Sequence, residues 1–194
     1  MRTITRLLAV TAAAAALAAP AAATRASTSA SSAASSAATS TATSAATPYC
    51  GIAWGSLPRT SNPLWTGAVK AARYGQHSCY DRLVFDIAKG EGKLGYHVRY
   101  VSAVTSPGSG LPIGVSGGAK LQVTINAPAT MRIPSSGSVT FTGWRTFRQL
   151  TWVGSFEGYT DVGLGVRARL PMRTFVLDNA DGSKRLVIDV AHRW

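Results

Sequence analysis

The sequence predicts an all-β domain, a compact β-sandwich of about eight short strands that follows an irregular, disulfide-held N-terminal segment. Three observations lead to this prediction. Apolar and polar residues alternate over short runs, Gly- and Pro-rich turns separate these runs, and no long amphipathic helix lies between them. Helices between the strands would instead indicate βαβ units and a parallel sheet.

The first 47 residues are expected to lie outside the folded domain. Arg2 and Arg6 precede an Ala-rich apolar run, so residues 1–25 have the layout of a secretory signal peptide rather than a membrane anchor. Residues 26–47 are all Ala, Ser or Thr and offer no large apolar side chain to bury, which predicts a disordered tether. The domain itself is expected over residues 48–194.

The two cysteines of the chain, Cys50 and Cys79, both lie in the part predicted to be exported. An even number of cysteines in an exported protein indicates one disulfide, which would staple the N-terminal segment to the first strand. Closing this loop would stabilise the fold by roughly 3.5 kcal/mol through the entropy of the unfolded chain. A redox or metal-binding pair is disfavoured, because there is no C-x-x-C motif and no nearby His–Cys cluster.

The elements are then predicted in chain order. Residues 66–73 are expected to form a short helix, and the pattern changes to strands after Cys79. In DRLVFDI (residues 81–87) the apolar side chains of Leu83, Phe85 and Ile87 fall on one face of a strand. Further strands are expected within residues 95–104, 119–127, 138–144, 149–158, 162–170, 173–178 and 184–191, with Asp181-Gly182 as the turn before the last of them.

One strand pattern occurs twice, as DRLVFDI (residues 81–87) and as KRLVIDV (residues 184–190). Two explanations stay open. Quasi-equivalent positions in the two halves of a sandwich would require the same strand, or the similarity arises by chance because the pattern is simply a good strand.

The charge balance narrows the class of partner. The chain has 20 Lys and Arg against 8 Asp and Glu, a net charge of +12, and about +9 once residues 1–25 are removed. For an exported protein the natural polyanions are wall polymers, anionic glycans and lipid headgroups rather than nucleic acid. The surplus is spread along the chain, so a role in solubility alone is the other interpretation.

Motifs for nucleophilic catalysis are incomplete. GVSGG (residues 114–118) matches G-x-S-x-G, but it lies in a Gly- and Pro-rich loop with no following helix, so Ser116 is not expected to be a nucleophile. His77 with Asp81 could orient a base, yet no activated Ser or Cys partner is apparent.

The sequence also lacks the motifs of metal sites and cofactor sites, and it gives only weak evidence for a glycosidase site. His97 and His192 belong to no zinc-binding motif, and no dinucleotide or phosphate-loop glycine pattern occurs, so no metal and no cofactor is expected. Glycosidases need two placed carboxylates, and of the two glutamates Glu157 is a better candidate than Glu91, although a salt bridge with an arginine is the favoured role.

The stretch GWRTFRQLTWVG (residues 143–154) interleaves aromatic rings with arginines. Aromatic faces can stack on sugar rings and Arg can bind a carboxylate or phosphate with two hydrogen bonds, which would suit an anionic glycan. Core aromatics with Arg at the rim are the alternative and favoured interpretation. Candidate ligand-binding residues are therefore Trp144, Arg145, Arg148, Trp152, Arg167 and Arg169.

Several fragments together resemble a known family. They are CGIAWGS (50–56), GQHSCYDRLVFDI (75–87), GYHVRYV (95–101), GSGLPIGVSGGAKLQVTI (108–125), FEGYTDVGLGVRARLPMRTFVL (156–177) and KRLVIDVAHRW (184–194). They look like the AMIN-like domain of exported actinobacterial proteins and lipoproteins, which is remotely similar to the AMIN domain of cell-wall amidases and secretins. The resemblance implies a β-sandwich that targets its host to the envelope and is implicated in peptidoglycan binding.

The resemblance supplies no catalytic residues. We therefore expect a non-catalytic secreted module that associates with a cell-wall glycan or an anionic wall polymer. The alternatives are a module that binds another envelope protein through an open strand edge and, with less support, a wall-associated hydrolase that depends on Ser116 or Glu157.

Overall fold

The computed structural model describes residues 48–194, and in this range two antiparallel sheets form a sandwich. A six-stranded sheet has the order β1-β4-β7-β10-β9-β8, a four-stranded sheet has the order β11-β12-β3-β2, and β5 and β6 form a small ribbon. In chain order the strands are β1 (Arg59–Ser61), β2 (Val69–Gln76), β3 (Tyr80–Ile87), β4 (Tyr96–Val101), β5 (Val104–Thr105), β6 (Pro112–Ile113), β7 (Ala119–Ile125), β8 (Ser138–Thr140), β9 (Phe147–Phe156), β10 (Tyr159–Val166), β11 (Met172–Asp178) and β12 (Lys184–Ala191).

The predicted all-β class is confirmed, and the predicted signal peptide (1–25) and tether (26–47) lie outside the described residues. Across residues 48–194 no helix is long and apolar enough to span a lipid bilayer.

The core lies between the two main sheets. Leu83 and Phe85 on β3 are fully buried, and the inward-facing side chains of the other sheet, such as Leu121, Val123 and Leu164, are buried as well. The alternation along β3 is strict, with every second residue buried from Asp81 to Ile87. The period-two pattern of the sequence therefore identifies the core face of this strand correctly.

The helix predicted over residues 66–73 is wrong, because β2 (Val69–Gln76) occupies this stretch and pairs with β3. Its alanines favour a helix in isolation, but helix propensity is a weak preference that tertiary pairing overrides. Val69 is fully buried, and Tyr74 packs edge-on against Phe141 with 5.0 Å between the ring centroids.

The repeated heptads are direct neighbours in one sheet and not equivalent strands of two halves, which was one of the two explanations that the sequence left open. β3 and β12 pair antiparallel, which sets Arg82 opposite Asp189 and Asp86 opposite Arg185. A strand with Arg near its start and Asp near its end is thus complementary to a copy of itself in antiparallel orientation.

Only one of these two cross-strand pairs forms an ion pair among the described residues. Arg82 donates to both carboxylate oxygens of the buried Asp189, at 2.6 and 2.9 Å. These hydrogen bonds raise the pKa of the Arg82 guanidinium above its ordinary value. Asp86 is instead bound by Arg73 on β2, and the buried Nε of Arg185 has no hydrogen-bond partner within residues 48–194.

The N-terminal segment is held against the four-stranded sheet by covalent and hydrogen bonds. The predicted disulfide is confirmed, since Cys50 is bonded to Cys79 immediately before β3, with 6.4 Å between the Cα atoms. Gly55 and Met172 exchange backbone hydrogen bonds of 2.7 and 3.3 Å. The indole of Trp54 lies 5.5 Å from the Arg173 guanidinium, which in turn binds Asp189.

Candidate functional site

A cluster of arginines occupies one end of the sandwich, which we call the basic end and define as Arg145, Arg167, Arg169 and Arg193. Arg145 precedes β9, Arg167 and Arg169 follow β10, and Arg193 follows β12. Because the strands are antiparallel, starts and finishes of different strands meet at the same end.

Hydrogen bonds show that these stretches touch one another. The Nε of Arg167 donates to the carbonyl oxygen of Arg145 at 3.1 Å, and a terminal nitrogen donates to the carbonyl oxygen of His192 at 2.6 Å. Arg145 donates in turn to the carbonyl oxygen of Ser78. The side chain of Arg167 thus connects the residues before β9 with those after β12.

Tyr100 positions the chain around Arg169. Its hydroxyl donates to the carbonyl oxygen of Leu170 at 2.6 Å and accepts from the backbone N–H of Leu170 at 3.0 Å. Burial raises the pKa of Tyr100 to about 12, so the phenol remains neutral at physiological pH. The Arg169 guanidinium lies 4.9 Å from the centroid of the same ring.

An apolar groove borders the basic end. It is lined by Pro48, Tyr49, Ile52, Ala53, Trp54, Pro171 and Trp194. Trp194 is 69% exposed, yet its Nε1 donates to the carbonyl oxygen of Arg169. The Arg193 guanidinium lies 4.7 Å from the Tyr49 ring centroid. Aromatic rings and guanidinium groups therefore lie side by side here.

Exposed side-chain carboxylates are absent from the basic end within residues 48–194. Asp81, Asp161 and Asp189 are buried. β3, β9 and β11 begin at the basic end and finish at the other end of the sandwich. The remaining acidic residues lie near the finishing ends of these strands or in the turns that follow them; they are Asp86, Glu91, Glu157, Asp178 and Asp181. No side-chain carboxylate within the described residues forms a salt bridge with an arginine of the basic end.

The buried carboxylate of Asp81 ties the two sheets together beneath the basic end. One oxygen accepts the backbone N–H groups of Thr146 and Phe147, at 2.7 and 2.9 Å, and the other contacts Nε2 of His192 at 3.0 Å. Sequence reasoning had considered His77 as the partner of Asp81, but His77 is exposed and stacks on Tyr80. The alternation along β3 explains this, because it turns Asp81 into the core.

The six predicted ligand-binding residues separate into two groups. Arg145, Arg167 and Arg169 come together at the basic end and are exposed. Trp144 and Trp152 pack partly buried against the core. Arg148 is partly buried and donates to the carbonyl oxygens of Trp144 and Phe147, both at 2.8 Å.

The two residues considered for hydrolysis, Ser116 and Glu157, are both exposed and lie outside the strands. Ser116 is in an exposed loop that crosses β10, where its carbonyl would collide with any side chain at Gly165. Its backbone N–H donates to the side chain of Gln149 at 2.6 Å. Glu157 is exposed in the β9–β10 turn with a positive φ of 48°. Within residues 48–194, no group of three or more His, Cys, Asp or Glu side chains is placed to hold a metal ion.

Comparison with known proteins gives one family. The model of the AMIN-like domain matches residues 67–192, which is more than half of the chain. The chain belongs to the AMIN-like domain family. Neither the curated proteins nor the solved structures contain a significant match. Membership in this family associates the chain with the cell envelope, and AMIN-like domains are generally non-catalytic binding modules.

The AMIN-like match begins after the N-terminal segment. Cys50, Trp54 and β1 precede it, and Arg193 and Trp194 follow it. The resemblance seen in the sequence extended over residues 50–194 and is therefore broader than the matched range.

The candidate residues did not include one arginine of the basic end, Arg193, or two aromatic residues of the adjoining groove, Tyr49 and Trp194. Tyr49 lies in a one-turn 3₁₀ helix (Tyr49–Gly51), and Arg193 and Trp194 lie in the irregular stretch after β12, where no periodic pattern marks them. Arg193 could have been found from its position just after the last predicted strand. In an antiparallel sheet every second strand finishes at the same end, so arginines that follow such strands come to lie at one end of the sheet.

Proposed function

We propose that the protein is a secreted, non-catalytic envelope module that associates with peptidoglycan or with anionic wall polymers through its basic end. The observation that supports this most is the position of Arg145, Arg167, Arg169 and Arg193 at one end of the sandwich, with no exposed side-chain carboxylate nearby among the described residues. Membership in the AMIN-like family supports the location at the envelope.

The chemistry of arginine suits this role. A guanidinium stays charged at every physiological pH and presents a planar set of donors that matches carboxylate and phosphate groups. A carboxylate already bound to these arginines would have to be displaced before an anionic polymer could bind. Because none is present within residues 48–194, the positive charge of the basic end is available to a ligand.

Cosedimentation with insoluble wall sacculi tests the proposal. The purified protein is mixed with sacculi that retain their anionic polymers and with sacculi stripped of them, over a series of salt concentrations. We expect binding that weakens as salt screens the charges, since the Debye length falls from about 10 Å at 0.1 M to about 3 Å at 1 M.

The two kinds of sacculi separate the ligands. Binding that persists on stripped sacculi assigns peptidoglycan as a ligand, and binding that vanishes on stripping assigns the anionic polymer. The absence of binding to either material at low salt would overturn the proposed function.

A further inference from the structure

The four edge strands of the two main sheets differ in how they are protected. β1 and β8 have only three residues each. β2 contains a bulge between Val69 and Ala71, and residues 129–135 lie along it. β11 is seven residues long, contains no proline and pairs with β12 in an uninterrupted register. Natural sheets usually protect such edges, because unpaired backbone groups invite another strand.

Hydrogen bonds at both ends of β11 show which of its backbone groups point outward. Met172 exchanges two bonds with Gly55 on the outer side, whereas Asn179 and Pro171 bond to the hairpin partner on the inner side. Outward groups recur at every second residue, so the N–H and C=O groups of Thr174 and Val176 also face outward. Within residues 48–194 no strand other than β12 pairs with β11.

This edge borders a groove between the two sheets. The groove is lined by Thr174, Phe175, Val176 and Asp178 of β11 and by Ser61, Gly92, Lys93, Leu94, Tyr96 and Lys184. The hydroxyl oxygen of Thr174 is buried without a hydrogen-bond partner among the described residues. A buried polar atom without a partner costs free energy, which a ligand that supplies a hydrogen bond would recover.

The charges of the groove indicate the kind of ligand. Its lining carries the ammonium groups of Lys93 and Lys184 and the carboxylate of Asp178, and Lys184 is paired with Asp178. Lys93 is exposed and forms no salt bridge within the part of the chain described. Lys93 is therefore the cationic side chain of this lining that remains available, and an acidic segment would neutralise it.

We propose that the free edge of β11 binds an extended, acidic peptide segment of a partner protein, which adds to the four-stranded sheet as a fifth strand beside Thr174 and Val176. Main-chain hydrogen bonds supply affinity in this mode of recognition, and alternate side chains of the peptide supply specificity. The binding is independent of the basic end and goes beyond the association with wall polymers.

The test starts from a phage-displayed library of random seven-residue peptides, selected on the immobilised full chain. Recovered peptides are synthesised and titrated against the ¹⁵N-labelled protein. We expect acidic sequences whose binding shifts the amide signals of Thr174 and Val176. Thr174→Pro removes one outward N–H without touching the β11–β12 ladder, and it should weaken binding at least about tenfold.

Thr140→Pro is the matched control, because Thr140 also has an outward N–H on an edge strand, β8, as the flanking bonds from Phe141 and Trp152 show. This variant should leave peptide binding unchanged. A second test keeps the protein intact: peptides N-methylated at one set of alternate amides should lose binding, and those methylated at the other set should retain it.

Four results would overturn the proposal. The selected peptides could shift signals elsewhere than β11, or bind equally well to Thr174→Pro, or tolerate both patterns of N-methylation. A concentration-dependent dimer that Thr174→Pro abolishes would also contradict it, since a second copy would then be the occupant.

Discussion

Single buried polar groups hold the residues of the basic end in position. Asp81 binds the start of β9 and the imidazole of His192, and Tyr100 binds Leu170 through both its donor and its acceptor function. Each group is satisfied by backbone atoms of a segment that carries an arginine of the basic end. A buried side chain that loses such partners leaves them unsatisfied, which is costly.

Tyr100→Phe should therefore destabilise the protein by about 1–2 kcal/mol at neutral pH, because the N–H and C=O groups of Leu170 lose their partner. The pH dependence follows from the pKa of about 12 in the folded protein, above the ordinary value of 10. The folded state favours the neutral phenol, so its contribution is fully present below about pH 10 and is lost as the pH rises toward 12.

Urea unfolding of both proteins at several pH values measures this contribution. The difference in the free energy of unfolding between the native protein and Tyr100→Phe should be constant from pH 7 to about 10 and shrink above it. The other tyrosines are common to both proteins and cancel in the difference. A gap that stays constant up to pH 12 would show that the phenol is not held neutral by the fold.

At the scale of elements, the N-terminal segment depends on a few anchors. The disulfide, the Gly55–Met172 hydrogen bonds and the contact of Trp54 with Arg173 attach it to the four-stranded sheet. The double substitution Cys50→Ser with Cys79→Ser should lower the free energy of unfolding by roughly 3.5 kcal/mol, as the entropy of a loop of this length requires.

Hydrogen exchange locates the effect of losing the disulfide. Amides of residues 50–56 should lose protection in the double variant, while those of β7 and β10, inside the AMIN-like match, should keep theirs. Reduced protection throughout the sandwich would mean that the segment belongs to one cooperative unit with the core. Unchanged stability would mean that the noncovalent anchors suffice.

The strands that alternate strictly could be predicted from the sequence, and β3 is the clearest case. Sequence reasoning missed β2, because Ala71 and Ala72 carry no strand signal and their conformation depends on pairing with β3. It also left the relation between the two similar heptads open, because the antiparallel pairing of Arg82 with Asp189 depends on a register that no local pattern contains.

The candidate ligand-binding residues, like the strands, could be predicted from the sequence only in part. Arg145 and Arg167 were among the candidates, although the predicted strand over residues 162–170 includes Arg167, which the structure places directly after β10. The packing of Trp144 against Phe147, with ring planes 6° apart, agrees with the favoured interpretation of the sequence, in which these aromatics belong to the core and arginines lie at its rim.

At the scale of the whole molecule, charge is distributed unequally between the two ends of the sandwich. Arginines without carboxylate partners in the described residues gather at the end where β10 and β12 finish. The exposed carboxylates lie toward the other end, as with Asp178 and Asp181. A positive field at one end would orient the molecule as it approaches a polyanionic surface.

The central claim is that the position of the arginines, rather than net charge, determines binding to the envelope. Two charge-matched variants test it: Arg145→Gln with Arg193→Gln at the basic end, and Lys70→Gln with Arg132→Gln beside the start of β2, at the other end of the sandwich. Lys70 and Arg132 are exposed and form no salt bridge among residues 48–194, so both variants lose two available charges.

The measurement is the dissociation constant for sacculi that retain their anionic polymers, at one fixed ionic strength. At about 1 kcal/mol for each cationic side chain near a polyanionic surface, the basic-end variant should bind about ten- to thirtyfold more weakly. The control variant should differ from the native protein by much less. Equal losses in the two variants would contradict the account, because binding would then follow total charge and not the basic end.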